Sequence, residues 1–305
     1  MDRLSTEVAG VRFRNPFLLA SGIWGETGAA LARAHRDGAG GVVTKSIGSA
    51  PREGYPNPTV EQLGSWGLLN AMGLPNPGME HYAAEIALAR KEGATVVGSI
   101  FGGDAKEFAT LARAMEQTGV VALELNLSCP HAKGYGSEIG RDPAIVTEVV
   151  RAVKQAVRLP VWAKLTPNTH DIGALAEAAE QAGADAISAI NTVRGLAIDP
   201  ETMRPVLAHG FGGLSGPAIK PIGLACVWQI YDRVKVPIVG IGGISTPEDA
   251  FEYLIAGASA VEVGTALSAG GDALFGTLSA GLERLLEHHG FSTLAEAVGA
   301  SHRVR

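Results

Sequence analysis

The residues with the most chemistry to offer stand together in Glu124-Leu125-Asn126-Leu127-Ser128-Cys129-Pro130-His131. A cysteine among polar neighbours is a candidate nucleophile or proton acceptor. Asn126 and Ser128 offer donors to a polar substrate, and the nearby Gly134 and Gly136 suit a loop that opens and closes. Cys226 lies instead in the apolar run from Ile222 to Ile230 and reads as helix packing. Two lysines end apolar runs, Lys45 in Val-Val-Thr-Lys-Ser and Lys164 in Val-Trp-Ala-Lys-Leu. An ammonium is costly to bury without a partner, so two in matching positions point to an anionic or electron-accepting ligand where the strands end. The turns Gly240-Ile241-Gly242-Gly243-Ile244 and Gly264-Thr265-Ala266 expose backbone amides that can cradle a phosphate without a cationic side chain. Asn70, Asn76, Asn126 and Asn191, the last followed by Thr192, each carry a donor and an acceptor. Converging on one cavity, they suit a planar ligand with amide-like edges and a carboxylate.

The elements that must position these groups are short runs rich in valine, isoleucine and leucine, separated by amphipathic stretches of helical length, the pattern of parallel strands buried on both faces. Eight strands are expected near 17–20, 41–45, 95–100, 122–126, 160–165, 186–190, 237–241 and 260–263, with helices such as 104–117, 142–158, 172–182 and 247–256 between them. Eight strands, and no GxGxxG after the first, favour a closed (β/α)8 barrel over a doubly wound sheet. The whole chain, 1–305, reads as one such domain. Two links, 46–77 and 191–217, are too long for ordinary connections. Both follow carboxyl ends of strands, so they are expected to wall the active face.

Composition narrows the partners. A net charge of −6 argues against nucleic acid and anionic membranes. No apolar stretch has the length of a membrane span, and the first fifteen residues carry Arg3, Glu7, Arg12 and Arg14 with no signal-peptide core, so a cytoplasmic protein is expected. Forty glycines in 305 residues are nearly twice the usual share of about 7% and imply sharp turns or close approach of backbone to a ligand. Two distant cysteines without a CxxC pair provide neither a zinc site nor an iron–sulfur cluster, and no metal is expected.

Taken in order, these segments resemble the dihydroorotate dehydrogenase family, its type 1 members, and the 1B branch more than 1A. The matching stretches are Asn15-Pro16, Ala20-Ser21-Gly22, Thr44-Lys45-Ser46, Asn70-Ala71-Met72-Gly73-Leu74-Pro75-Asn76, Asn126-Leu127-Ser128-Cys129-Pro130, Lys164, Asn191-Thr192, Gly213-Leu214-Ser215-Gly216, Lys220-Pro221, Gly242-Gly243 and Gly264-Thr265. The resemblance implies FMN across the barrel mouth, with its phosphate on Gly242, Gly243, Gly264 and Thr265. Ala20, Ser21, Lys45, Ser46, Asn126, Lys164, Ile190 and Gly216 would surround the rest. It places substrate against Lys45, Asn70, Met72, Gly73, Leu74, Asn126, Asn191 and Thr192. It implies that Cys129 takes the C5 proton of dihydroorotate while hydride leaves C6 for flavin N5, and that Lys164 stabilises the charge gained by the flavin.

His131 departs from the pattern, since type 1 members usually read Cys-Pro-Asn. Dihydropyrimidine dehydrogenases share Cys-Pro-His and the flavin barrel, so reduction of uracil or thymine is the alternative chemistry. A non-catalytic flavin-binding subunit would keep the glycine turns but need no base. The stretch Asn191 to Asp199 resembles the 1B branch, whose members pair with a subunit carrying FAD and a [2Fe-2S] cluster and pass electrons to NAD. A homodimer or heterotetramer is therefore expected, with fumarate, the 1A acceptor, as the other route.

Overall fold

In the computed structural model, which describes residues 3–128 and 139–304, eight parallel strands close into a barrel in sequential order. They are β1 (Phe17–Leu19), β2 (Gly41–Val43), β3 (Val96–Ile100), β4 (Ala122–Asn126), β5 (Val161–Leu165), β6 (Ala186–Ala189), β7 (Ile238–Ile241) and β8 (Ala258–Val263). The longer helices are α1 (Gly28–Arg36), α2 (Met79–Lys91), α3 (Ala105–Glu116), α4 (Pro143–Ala156), α5 (Ile172–Gln181), α6 (Lys220–Tyr231), α7 (Pro247–Ile255) and α8 (Leu274–His288). The expected eightfold alternation is therefore present. Several helices begin where a side chain takes up an orphan amide: Asp104 accepts from Glu107 N, Asp171 from Ala174 N, and Thr246 and Asp249 form a reciprocal capping box at α7. In α4 the buried residues are Val146, Val149, Val150 and Val153, the i, i+3, i+4, i+7 stripe of a helix packed on a sheet.

Strand ends differ by a residue or two from the expected runs. β2 stops at Val43 because the Lys45 amide turns aside to Gly25 O (2.9 Å). Lys45 therefore stands beyond the strand, at the mouth. Below the barrel, an unexpected hairpin, Thr6–Val8 with Val11–Phe13, supplies Val8 and Phe13 to a plug. There they pack with Leu18, Val43, Val97, Trp162 and Val239 from inside the strands, and Phe13 meets Trp162 edge-on.

The two long links pair with each other. Val60–Gln62, Leu68–Asn70, Gly212–Ser215 and Val193–Gly195 make a four-stranded antiparallel sheet, in which Gly213 lies opposite Asn70 and Ser215 opposite Leu68. One wall thus comes from both insertions. At its end Gly216, with φ 96°, passes so close to Gly67 that a Cβ on Gly216 would lie 2.7 Å from the Gly67 Cα. Only glycine fits that contact and that left-handed backbone.

Candidate active site

Alternation along the strands layers the barrel interior. Ala122, Trp162 and Ala260 belong to the apolar plug, and the residues two positions on, Glu124, Lys164 and Glu262, form a polar layer above it. All three are buried. The Lys164 ammonium donates to Glu124 Oε1 (3.2 Å) and to Glu262 Oε2 (2.8 Å). Burial by itself lowers the lysine pKa, but the two carboxylates reverse this and raise it above the ordinary value. Glu262 moves well above the carboxylate range through burial first and the neighbouring Glu124 second, partly offset by Lys164. Four side-chain atoms in this interior have no hydrogen-bond partner: Glu124 Oε2, Glu262 Oε1, Ser188 Oγ and Trp162 Nε1.

Both lysines were expected to face a ligand; for Lys164 the protein itself supplies two carboxylates. Lys45 differs. Its side chain is equally buried, yet among the described residues no carboxylate pairs with it, and burial lowers its pKa against a smaller opposing effect of Glu26. A charged group held in this way favours an incoming anion.

Around Lys45 runs a polar chain. Ser46 Oγ shares hydrogen bonds with Ser99 Oγ (2.9 Å) and Ser21 Oγ (3.2 Å) and accepts one from the Asn126 amide (3.1 Å). Asn191 donates to Asn126 Oδ1 (3.3 Å) and accepts from the Thr192 amide (2.7 Å). Four of the residues singled out in the sequence, Ser21, Ser46, Asn126 and Asn191, are therefore linked in one network. Other expected residues have structural duties. Asn70 ties the inserted sheet through Gly213 O (3.1 Å), and Asn76 spends both ends of its amide closing its own loop onto Gly48, Gly78 and Leu74. Asn76 thus drops out of the expected asparagine cluster. Gly73 and Leu74 both have positive φ, so the Met72–Leu74 turn has a shape of its own.

The glycine turns converge as expected. A Cβ on Gly243 would lie 2.8 Å from Gly216 O, one on Gly264 3.3 Å from Ala20, and Thr265 donates to Ser215 Oγ (2.8 Å). Among the described residues, the amides of Gly243, Ile244 and Thr265 donate to no protein acceptor. The amides of Ser245 and Thr246 are taken by the Asp249 carboxylate (3.0 and 2.9 Å), itself held by Lys220 (2.7 Å). A phosphate would therefore meet the first part of this turn and not the second. Glu262, Ser99 and Asp249 were not foreseen. For Glu262 the available signal was a lone glutamate in the apolar run Ala-Val-Glu-Val, two residues before a glycine turn.

Cys129 and His131 lie outside the described residues, directly after Ser128 at the end of β4. Fold and site together define a class: an α/β-barrel enzyme whose polar groups gather at the carboxyl mouth of the strands. The chain belongs to the dihydroorotate dehydrogenase family, whose model matches residues 3–286. It is 52% identical over 301 residues to the dihydroorotate dehydrogenase B (NAD(+)) catalytic subunit of Pyrococcus furiosus, covering 99% of each chain. The protein of the same name from Methanocaldococcus jannaschii is 50% identical over 303 residues, 98% of each chain. That from Thermoplasma acidophilum is 46% identical over 303 residues, 99% of this chain and all of the other. Among the described residues no helix is long and apolar enough to cross a membrane.

Proposed function

We propose that this chain, as a single-domain barrel, oxidises dihydroorotate to orotate with FMN at the barrel mouth and Cys129 as the base. The observation that carries the reading is the conjunction of free amides at Gly243, Ile244 and Thr265 with a buried, uncompensated Lys45, in a member of a family named for this reaction. The cradle fits a phosphate-bearing flavin. Gly242, Gly243, Gly264 and Thr265 would hold its phosphate, with Ala20, Ser21, Ser46, Ile190 and Gly216 around the ring system. When bound, FMN supplies the hydride acceptor.

The chain's own residues do the rest. Lys45 attracts the substrate carboxylate and, with Asn70, Met72, Gly73, Leu74, Asn126, Asn191 and Thr192, frames its ring. The hydrogen bonds from Asn191 to Asn126 and from Asn126 to Ser46 fix which amide faces remain for the ligand. Cys129, three residues beyond Asn126 at the end of β4, removes the C5 proton. Lys164 keeps a fixed positive charge beneath the mouth.

Electrons must then leave the chain. The relatives' printed names, each a catalytic subunit of an NAD(+) enzyme, support a partner subunit, and FAD and a [2Fe-2S] cluster there would complete the path to NAD. Purified protein should bind FMN, and anaerobic dihydroorotate should bleach it. Bleaching by dihydrouracil alone would move the assignment to dihydropyrimidines. Efficient turnover with fumarate by the isolated chain would remove the need for the NAD-linked partner.

A further inference from the structure

Inside the barrel, two carboxyl groups and one ammonium share a volume closed to solvent. Glu124 and Glu262 are each at most 1% exposed, and Lys164 is 5% exposed. Lys164 reaches one oxygen of each acid, at 3.2 and 2.8 Å. The remaining oxygens, Glu124 Oε2 and Glu262 Oε1, have no hydrogen-bond partner, so one ammonium serves two buried acids. An ionised carboxylate is an acceptor only, so with both acids ionised these two oxygens would have no donor to accept from. Two buried anions against one cation would also leave a charge uncompensated, at a cost no hydrogen bond in this interior offsets.

We infer that Glu124 and Glu262 hold a single proton between them and, through Lys164, act as positioning residues that keep its ammonium charged and fixed below the cofactor mouth. One carboxylate balances the lysine, and the other acid donates to that carboxylate, so the layer is neutral as a whole. The groups whose charge bears on Glu262 are Glu124 on β4 and Lys164 on β5. Ser188, inward on β6, and Trp162 below are neutral. Lys45 on the mouth side responds to Glu26 and not to this layer. Without either acid, Lys164 would be a buried cation with no anion, the situation in which a lysine gives up its proton. This inference rests on the flavin reading for the word cofactor, but the shared proton does not.

Infrared spectroscopy of the ligand-free chain at neutral pH tests the proton directly. The wild type should show the carbonyl band of a protonated, buried carboxylic acid, and both Glu262→Gln and Glu124→Gln should lose it, because the acid left beside Lys164 ionises. No such band in the wild type, or a band that survives both single substitutions, would overturn the proposal. Positioning is read from FMN affinity of the apoprotein. Each single variant keeps one anion for Lys164 and should bind within about threefold of wild type, whereas the double variant should lose about tenfold or more at neutral pH and regain it as the pH is lowered and Lys164 recharges. A double variant with wild-type affinity across that range would show that the pair positions nothing. If no protein binds FMN, wild type included, the flavin reading fails while the infrared result still decides the shared proton.

Discussion

Replacing Asp249 with alanine removes one carboxylate from four donors at once. Its oxygens accept from Ser245 N (3.0 Å), Ser245 Oγ (3.0 Å), Thr246 N (2.9 Å) and Lys220 Nζ (2.7 Å), and its side chain is 12% exposed. Loss of the reciprocal half of the capping box costs about 1 kcal/mol, and loss of a charge-assisted bond about 2 kcal/mol more. Lys220 keeps Glu252 at 3.1 Å, so no bare cation is added to the sum. A total near 3 kcal/mol, set against the unfolding entropy of a 305-residue chain, should lower the melting midpoint by about 5 °C. The same change frees the second half of the glycine turn, so FMN release should quicken. Asp249→Asn, which can still accept from the cap amides, should lose about half as much. Although burial pushes the Asp249 carboxyl up, Lys220 and the turn donors bring it net below the ordinary value. Its stabilisation is therefore present above the usual carboxylate range and fades as pH falls through the lowered folded value. Scanning calorimetry against pH should show this fading in the wild type and its absence in Asp249→Asn. An Asp249→Ala protein that melts within about 2 °C of the parent and keeps its FMN would refute the bracing role.

Three further outcomes follow from the same structure. Cys129→Ala should retain FMN but slow its reduction by dihydroorotate about a hundredfold in stopped-flow absorbance; Cys226→Ala, whose thiol burial pushes up to about 11, should match the parent rate. Lys45→Met should raise the melting point of the ligand-free chain at neutral pH, because a lysine with a lowered folded pKa is penalised while charged and the penalty lifts only as pH rises through that value. The same variant should bind orotate far more weakly by calorimetric titration, and unchanged affinity would remove Lys45 from the anion site. Gly216→Ala should cost about 1–3 kcal/mol by forcing a Cβ against Gly67, with limited proteolysis detecting release of the inserted sheet.

The barrel was legible because each of its strands is a short run dominated by apolar residues, and the helices because caps such as Asp104, Asp142, Asp171 and Thr246 stand one residue before an apolar stripe. Ser46, Asn126, Asn191 and the two glycine turns could be placed at the mouth from strand ends alone. The inserted sheet was not legible. Its strands are three or four residues long, one is Gly-Gly-Leu-Ser, and each finds its partner in the other insertion. The polar layer escaped for a related reason. Glu262 and Lys164 are 98 residues apart and Lys164 and Glu124 are 40 apart, and no local spacing announces a pair that exists only when the barrel closes.

The two lysines show what closure adds. In sequence they are near equivalents, each the last polar residue of a valine-rich run, and in the structure they are almost equally buried, at 6% and 5% exposure. Burial lowers both, so burial cannot account for their opposite shifts. The difference is the layer each occupies. Lys164 lies one alternation above Trp162, level with Glu124 and Glu262, and is neutralised within the barrel. Lys45 stands past the end of β2, where its amide has left the ladder for Gly25 and only Glu26 offsets its burial among the described residues. The first lysine is therefore part of the fold's own charge balance, and the second, in the proposed reading, is where a ligand anion would complete it.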